Sequence, residues 1–195
     1  MLKVTKNNQQ KALQILVTAF KDNPGALWVI KKDKKILNRL QVLCKYCLST
    51  SMQKKGAFIT LDEKGIALIY KNWLKQNSIK KLLGYIDLGN YCIGWDRAWS
   101  IIKREKEIVS RRPKFPHLYF WMIGVENNSN GVNTIIEIRN FVFEYSKKLQ
   151  LPIYAETTVE KYLTLYQRYG FSIYDEWETG YNGIKVWFIK RDWDH

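Results

Sequence analysis

A polar turn that follows a buried strand is the segment best suited to chemistry in this sequence. Residues 117–125 are almost wholly apolar and aromatic, which predicts a buried β-strand. Residues 126–131 are polar, and apolar residues at helical spacing predict a helix over residues 132–149. Such a junction presents unpaired backbone N–H groups at the positive end of a helix dipole, so it can bind phosphate. Every strand-to-helix junction shares these properties, so the turn alone does not identify a site.

The elements around this turn predict an α/β (α+β) fold with a central mixed, twisted sheet of six to seven strands flanked by helices. The segment over residues 117–157 has the length of a strand–helix–strand crossover between parallel strands. The other expected strands are residues 2–5, 57–61, 66–70, 171–177 and 185–190. The other expected helices are residues 8–21, 33–51 and 159–169, with a helical insertion around residues 72–112. Residues 22–25 predict a turn that ends the first helix.

Several of these patterns together resemble the GNAT superfamily of acetyl-CoA-dependent N-acetyltransferases. The resemblance rests on Ile123-Gly124-Val125 before the polar turn, on Tyr154-Ala155-Glu156-Thr157, and on Tyr166 four residues before Gly170-Phe171. Asp22-Asn23-Pro24 and Pro116-His117-Leu118-Tyr119 also recur in that family. The resemblance covers essentially the whole chain, strongly over residues 116–171 and weakly over residues 71–112. It implies a single GNAT-type domain over residues 1–195.

The resemblance also implies where acetyl-CoA, the acyl donor, would bind. Ile123 and Val125 would offer backbone groups to the pantetheine arm and the thioester carbonyl. Backbone N–H groups would wrap the pyrophosphate at Asn130, Gly131, Val132, Asn133 and Thr134. Tyr162 occupies the position of an asparagine that often contacts the cofactor, and Tyr166 would protonate the departing thiolate. No metal is implied.

The polar turn departs from the family pattern at three positions. Asn130 replaces the usual Gln or Arg, Asn133 replaces a glycine, and Ile135 replaces a small residue. Gly131 is the one glycine of the motif that remains. Asn tolerates a left-handed backbone, whereas a branched side chain at Ile135 would crowd the phosphates. The sequence therefore predicts weakened cofactor binding.

The remaining catalytic and acceptor-site assignments each have a structural alternative. Glu156 is the candidate general base, or else a buried carboxylate held by backbone N–H groups or an arginine. Tyr166 could simply pack its ring, and His117 is better explained as the start of its strand than as a base. The candidate acceptor pocket consists of aromatic residues that could equally belong to the core: Trp28, Tyr119, Trp121 and Tyr154.

Composition narrows the partners without naming them. The 32 Lys and Arg against 18 Asp and Glu give a net charge of +14, which favours anionic partners such as nucleotide cofactors or nucleic acid. The basic residues are scattered as doublets, which favours a solvated surface. No signal peptide and no apolar run near the ~20 residues of a membrane span occur, so we expect a soluble, cytoplasmic protein. Three cysteines, Cys44, Cys47 and Cys92, predict reduced, packed thiols.

These patterns leave three functions open. The first is an N-acetyltransferase that transfers an acetyl group directly from acetyl-CoA to a primary amine of a small molecule or peptide. The second is a non-catalytic GNAT-fold protein with weak or no acyl-CoA binding, which the altered turn favours. The third, a basic nucleic-acid-binding protein, lacks a recognised binding motif. The acceptor and the oligomeric state, including a homodimer, remain open.

Overall fold

A computed structural model describes residues 1–126, 131–178 and 184–194. The strands are β1 Leu2–Lys3, β2 Ala57–Ile59, β3 Gly65–Lys71, β4 Leu118–Val125, β5 Ile153–Thr157, β6 Ser172–Glu178 and β7 Lys185–Arg191. The helices are α1 Gln9–Phe20, α2 Pro24–Val29, α3 Ile36–Gln53, α4 Ser78–Asp87, α5 Trp95–Arg111, α6 Gly131–Leu149 and α7 Leu163–Arg168. A π-helical turn, Leu88–Ile93, joins α4 to α5, and a 3₁₀ turn, Glu160–Tyr162, precedes α7.

The seven strands form one mixed sheet in the order β1-β2-β3-β4-β5-β7-β6. The strands predicted over residues 57–61 and 66–70 form a hairpin, because β2 pairs antiparallel with β3. The crossover predicted through α6 is also confirmed, since β4 and β5 are parallel neighbours. The other adjacent pairs are antiparallel, so the α/β class and the strand count agree with the sequence-based prediction.

The middle of the sheet contains two irregularities that meet at β4. The ladder between β3 and β4 pairs Leu68 with Met122 and Ile69 with Phe120, which leaves Trp121 as the extra residue of a β-bulge. Pairing between β4 and β5 covers only Leu118 with Ile153 and Tyr119 with Tyr154. Within the described residues, the two strands thus separate along the rest of β4, while β5 stays paired with β7 to Thr157.

The two larger of three apolar clusters among the described residues hold the middle of the sheet between helical layers. One face of β3 and β4 packs on α1, α2 and α3 through residues that include Ile15, Leu40 and Leu68. Gly124 allows α1 to lie close to β4, because a Cβ there would approach Ala19 and Ile15 to 3.3 and 3.4 Å. The opposite face packs on α6 and α7, with Ile138 and Val142 fully buried.

The segment over residues 22–25 corrects one sequence-based prediction. It ends α1 as expected, but it also starts a helix, α2, that the sequence reading did not include. Asn23 caps this helix by accepting a hydrogen bond from the Ala26 N–H at 3.0 Å, and Pro24 occupies the first turn. The same residue types therefore serve both as a turn and as a helix start.

The insertion between β3 and β4 is helical, as predicted, and attaches to the rest of the molecule mainly through α5 and the π-helical turn. Arg97 donates to the carbonyl oxygens of Trp28 and Ile30, each at 2.6 Å, and so satisfies the C-terminal end of α2. Ile101 and Ile108 are buried, whereas α4 buries none of its residues. The insertion therefore places α5 across the same sheet face as α1 to α3.

The cysteine thiols are buried and unpaired, as the sequence predicts for packed, reduced residues. Cys44, Cys47 and Cys92 all lie in the cluster formed by α1 to α3. Burial raises the pKa of each thiol, so they remain protonated near neutral pH. Within the part of the chain that the structure describes, no helix is long and apolar enough to cross a bilayer.

His117 directly precedes β4 as a structural residue, and its burial gives stability a dependence on pH. Its Nδ1–H donates to the Phe115 carbonyl at 2.9 Å, and burial lowers its pKa below 6.5. The unfolded chain therefore binds a proton more readily, so stability falls as pH drops below 6.5. We expect His117→Phe to reduce this dependence, measured as urea unfolding of both proteins between pH 7 and 5. Parallel pH curves for the two proteins would contradict this.

Candidate active site

The candidate site is the opening between β4 and β5. The bulge at Trp121 and the separation of the strands leave the inner edge of β4 without a ladder partner among the described residues. Unpaired backbone groups at such an edge are able to hydrogen-bond an extended, amide-bearing ligand. Ile123 and Val125, two predicted donor contacts, lie on this stretch with their side chains in the cluster on the α6 side.

The predicted phosphate turn lies at the end of this opening, where α6 begins. Asn130 falls outside the described residues, whereas Gly131, Val132, Asn133 and Thr134 form the first turn of α6. Val132 and Asn133 are exposed, and Thr134 is buried against Gly65 of β3. A 19-residue helix that opens here directs its positive dipole end toward the mouth of the opening.

Gly131 begins this helix without close neighbours among the described residues. A Cβ added there would come no closer than 3.9 Å to the Glu126 carbonyl or the Val125 side chain. The glycine therefore relieves no crowding within the described chain. Neither Gly131 nor Asn133 has a positive φ, so the glycine that the motif lacks at Asn133 is not needed for backbone conformation. The departure at Asn133 is thus compatible with the local fold.

Glu126 fixes the end of β4 next to the turn. Its carboxylate pairs with the Lys11 ammonium of α1 at 2.5 Å, and its N–H donates to the Lys64 carbonyl at 2.8 Å. These contacts anchor the strand end to α1 and to the β2–β3 hairpin. Glu126 is therefore held by α1 through its side chain and by the β2–β3 hairpin through its backbone.

Tyr166 lies on α7 and packs in the same cluster as Ile123 and Val125. Its ring is 5.6 Å from that of Phe171 in an edge-on arrangement. Burial, with a smaller contribution from Tyr162, raises the pKa of Tyr166 to about 12. The phenol therefore keeps its proton at neutral pH, as a proton donor must. Tyr162 is more exposed, and Lys161 stacks on its ring at 5.3 Å.

Glu156 lies on β5 and is held by an arginine, which is one of the alternative roles that the sequence predicted for it. Its carboxylate accepts hydrogen bonds from Arg112 Nε at 2.7 Å, from Arg112 Nη2 at 3.3 Å and from the Tyr119 hydroxyl at 2.5 Å. Burial lowers the pKa of Arg112, but Tyr119 and Glu156 outweigh that effect and hold it above its ordinary value. Glu156 is thus partnered by an arginine of the insertion.

The four aromatic residues of the predicted acceptor pocket lie in three places. Tyr119 and Trp121 are neighbours on β4, with ring centroids 6.4 Å apart. Tyr154 packs against Tyr174 at 5.2 Å and His117 at 4.9 Å, near the start of β4. Trp28 lies on α2 beneath α5.

Arg104 of α5 is a buried cation that contacts Trp28. Its guanidinium lies 4.7 Å from the Trp28 ring centroid, and its Nη1 donates to Glu105 at 3.0 Å. The side chain is buried, and its Nε–H has no hydrogen-bond acceptor among the described residues. Burial lowers the pKa of Arg104, while Glu105, Glu156 and Tyr119 act in the opposite direction. A buried donor without an acceptor is suited to a ligand oxygen.

A second opening lies at the carboxyl end of β5. It has a volume of about 460 Å³ and is bordered by Pro24, Thr158, Glu160, Glu178 and Trp187. Gly25 of α2 lies against Thr158, since a Cβ there would be 3.0 Å from its hydroxyl oxygen. Glu160 and Glu178 place two carboxylates at this mouth, beside Lys185, whose ammonium is paired with Glu176.

Comparison with solved structures places this arrangement in a known fold. The chain is similar to the histone acetyltransferase HPA2 and related acetyltransferase of Corynebacterium glutamicum, at 18% identity and a TM-score of 0.68, over 98% of this chain and 94% of that one. The chain has the GNAT acyltransferase fold. It is also similar to arylalkylamine N-acetyltransferase 2 of Aedes aegypti, at 12% identity and a TM-score of 0.63, over 98% and 97% of the two chains.

The chain is likewise similar to Arabidopsis thaliana Naa50, which was solved in complex with the bisubstrate analogue CoA-Ac-MVNAL. That comparison gives 11% identity and a TM-score of 0.52, over 97% of this chain and 95% of that one. No family model matches the sequence. At these identities the likeness establishes the GNAT fold, while the function rests on the residues of the site.

Several residues around the site were missed by the sequence reading. Arg104 and Arg112 were not among the predicted site residues, and neither were Thr158, Glu160 and Glu178. Glu160 and Glu178 lie 18 positions apart, and Arg112 lies 44 positions from Glu156. These residues could have been grouped only by predicting which strands and helices are neighbours in the fold.

Proposed function

We propose that this protein is an N-acetyltransferase that transfers an acetyl group from acetyl-CoA directly to a primary amine of a small molecule or peptide. The observation that carries the proposal is the separation of β4 from β5 beside the N-terminus of α6. That geometry combines an unpaired strand edge, suited to the amides of pantetheine, with a helix start suited to phosphate.

The residues that would hold the donor follow from this arrangement. Backbone groups of Ile123 and Val125 lie on the open stretch of β4, and Gly131 to Thr134 form the first turn of α6. Among the described residues nothing crowds Gly131, which fits a phosphate that approaches the backbone closely. When bound, acetyl-CoA supplies an activated acyl group. A backbone N–H near Val125 would stabilise the oxyanion.

The proton donor in this proposal is the Tyr166 hydroxyl, which packs on the same side of β4 as Ile123 and Val125. Its raised pKa keeps the proton on the phenol until a thiolate accepts it. Glu156, the candidate base, already accepts three hydrogen bonds from Arg112 and Tyr119. We infer that Glu156 positions this wall of the site and that water relays the proton from the amine.

The acceptor would enter through the mouth at the end of β5. A protonated amine is attracted by the carboxylates of Glu160 and Glu178 before it loses its proton. Trp121 and Trp28 would then border the path inward, together with the unpartnered Nε–H of Arg104. This entrance lies on the face of the sheet that packs on α1 to α3, opposite α6.

We expect Gly131→Val to weaken acetyl-CoA binding at least tenfold without a comparable loss of stability. The added side chain meets open space within the described chain, so folding is little affected, but it occupies the room that a phosphate would use. Calorimetric titration and thermal melting of both proteins measure the two effects. The matched control is Val132→Ala, an exposed neighbour in the same helical turn. Unchanged affinity in Gly131→Val would contradict the placement of the phosphates.

The proposed activity is tested by following free thiol release from acetyl-CoA in the presence of a panel of primary amines. The panel includes arylalkylamines, polyamines and peptides with a free amino terminus. We expect release above the hydrolysis background with at least one amine class, and mass spectrometry should find the acetylated amine. Cofactor binding without amine-dependent release from any class would reject transfer to amines.

A further inference from the structure

A third opening lies at the other end of β3 and β4 from the N-terminus of α6, and it shares Arg112 and Tyr119 with the Glu156 network. It has a volume of about 390 Å³ and lies where β3 ends and β4 begins, beside the paired Tyr70 and Tyr119. The candidate donor site lies at the opposite end, where Gly65 pairs with Val125. A volume of this size falls in the range of small-ligand pockets, roughly 300–1,000 Å³.

Three Lys and Arg side chains line this pocket, and a carboxylate pairs with one of them. Lys54 at the end of α3, Arg112 at the end of α5 and Lys114 just beyond it all line the pocket. Glu156 neutralises Arg112. Among the described residues, no carboxylate forms an ion pair with Lys54 or Lys114. The pocket therefore has two positive charges that no acidic side chain balances.

Lys54 is the most constrained of these cations. Its ammonium lies 4.1 Å from the Tyr70 ring centroid, and the side chain is only partly exposed. The titratable and charged groups that face it are Tyr70 from β3, Lys81 from α4, Arg112 from α5, Lys114, and His117 and Tyr119 from β4. Burial, followed by repulsion from Arg112 and Lys81, lowers the pKa of Lys54 to about 8.

The rest of the lining includes a small apolar wall. The side chains of Val109 and Pro113 provide apolar surface next to the cations. Tyr70 and Tyr119 are buried beneath them, with Lys54 and Arg112 lying over their rings. Asn72 adds a polar side chain that already hydrogen-bonds the loop before β4. An anion that placed its charge near Lys54 and Lys114 would offset the repulsion of Lys54 by Arg112 and Lys81. Its hydrocarbon part would cover Val109 and Pro113.

We propose that this pocket binds a small organic anion, with a carboxylate at Lys54 and Lys114 and an apolar body against Val109 and Pro113. The inference does not rest on the proposed acetyl transfer, since it uses only charge, shape and burial at the far end of the sheet. Bound carboxylate would stabilise the ammonium form of Lys54. Binding near pH 8 should therefore take up a proton.

Calorimetric titration of benzoate at pH 8 tests this inference, with benzamide as the uncharged control. We expect benzoate to bind in the millimolar range or tighter, with an enthalpy that depends on the ionisation enthalpy of the buffer. Benzamide should bind at least tenfold more weakly. No benzoate binding, or equal binding of benzamide, would overturn the proposal. Tighter binding of inorganic phosphate than of benzoate would overturn the assignment of an organic carboxylate.

Two substitutions of Lys54 distinguish the need for a positive charge at this position from the uptake of a proton on binding. Lys54→Met should lose at least tenfold in benzoate affinity, whereas Lys54→Arg should bind benzoate without proton uptake, because a guanidinium stays protonated at pH 8. The matched control is Lys45→Met, which removes one exposed charge from the same helix. Equal loss in Lys45→Met and Lys54→Met would reduce the effect to net charge and overturn the site.

Discussion

Replacing Tyr166 with phenylalanine is expected to lower kcat for acetyl transfer by about 10²–10⁴-fold while the Kd for acetyl-CoA stays nearly unchanged. The substitution removes only the hydroxyl, so the ring still packs against Phe171 on the side of β4 that contains Ile123 and Val125. What is lost is a donor whose raised pKa, about 12, holds its proton at neutral pH. Steady-state kinetics and calorimetric titration give the two quantities.

Tyr169→Phe is the matched control for this prediction. Tyr169 directly follows α7, and its ring packs on Phe143 with centroids 6.5 Å apart. It should retain the wild-type kcat, because nothing places its hydroxyl at the candidate site. An unchanged kcat in Tyr166→Phe would remove that residue from the mechanism. A similar loss in both variants would indicate a packing effect on α7.

Arg112→Ala is expected to lower the free energy of unfolding by about 3–5 kcal/mol. The guanidinium donates two hydrogen bonds to Glu156 and one to the Tyr119 hydroxyl, at 2.7 Å for the last. Removing it leaves a largely buried carboxylate without its cation in the middle of the sheet. Urea unfolding at neutral pH measures the loss, and adding Glu156→Gln should recover part of it because the uncompensated charge is gone.

Arg111→Ala provides the comparison, since Arg111 is the adjacent residue and also forms ion pairs. Its partners, Glu107 at 2.9 Å and Asp175 at 2.8 Å, are more exposed than Glu156. The expected loss is about 0–1 kcal/mol per exposed pair. Similar losses in Arg111→Ala and Arg112→Ala would contradict the distinction between a buried and a surface network.

The parts of the fold with a local pattern could be predicted from the sequence. The apolar run of β4, the helical spacing of α6 and the glycine turn between β2 and β3 each depend on neighbouring residues. Helix α2 was missed because Asn23 and Pro24 favour a turn and a helix start equally well. Its six residues are too few for periodicity to decide between them.

The candidate site was predictable only in part, for a related reason. The order of strand, turn and helix predicted the junction between Val125 and Gly131, but the bulge at Trp121 and the separation of β4 from β5 are properties of the assembled sheet. The network of Glu156 with Arg112 joins a strand to the end of an insertion. Such pairings depend on tertiary packing and leave no local trace in the sequence.

Calorimetric titration of acetyl-CoA into the purified protein tests the central claim most directly, because every catalytic role assigned above depends on the opening between β4 and β5 binding the donor. We predict saturable one-site binding with a Kd of about 1 μM–1 mM, the range common for enzyme substrates, and competition by free CoA. Absence of binding heat at millimolar acetyl-CoA, in a protein that is folded by circular dichroism, would contradict the account.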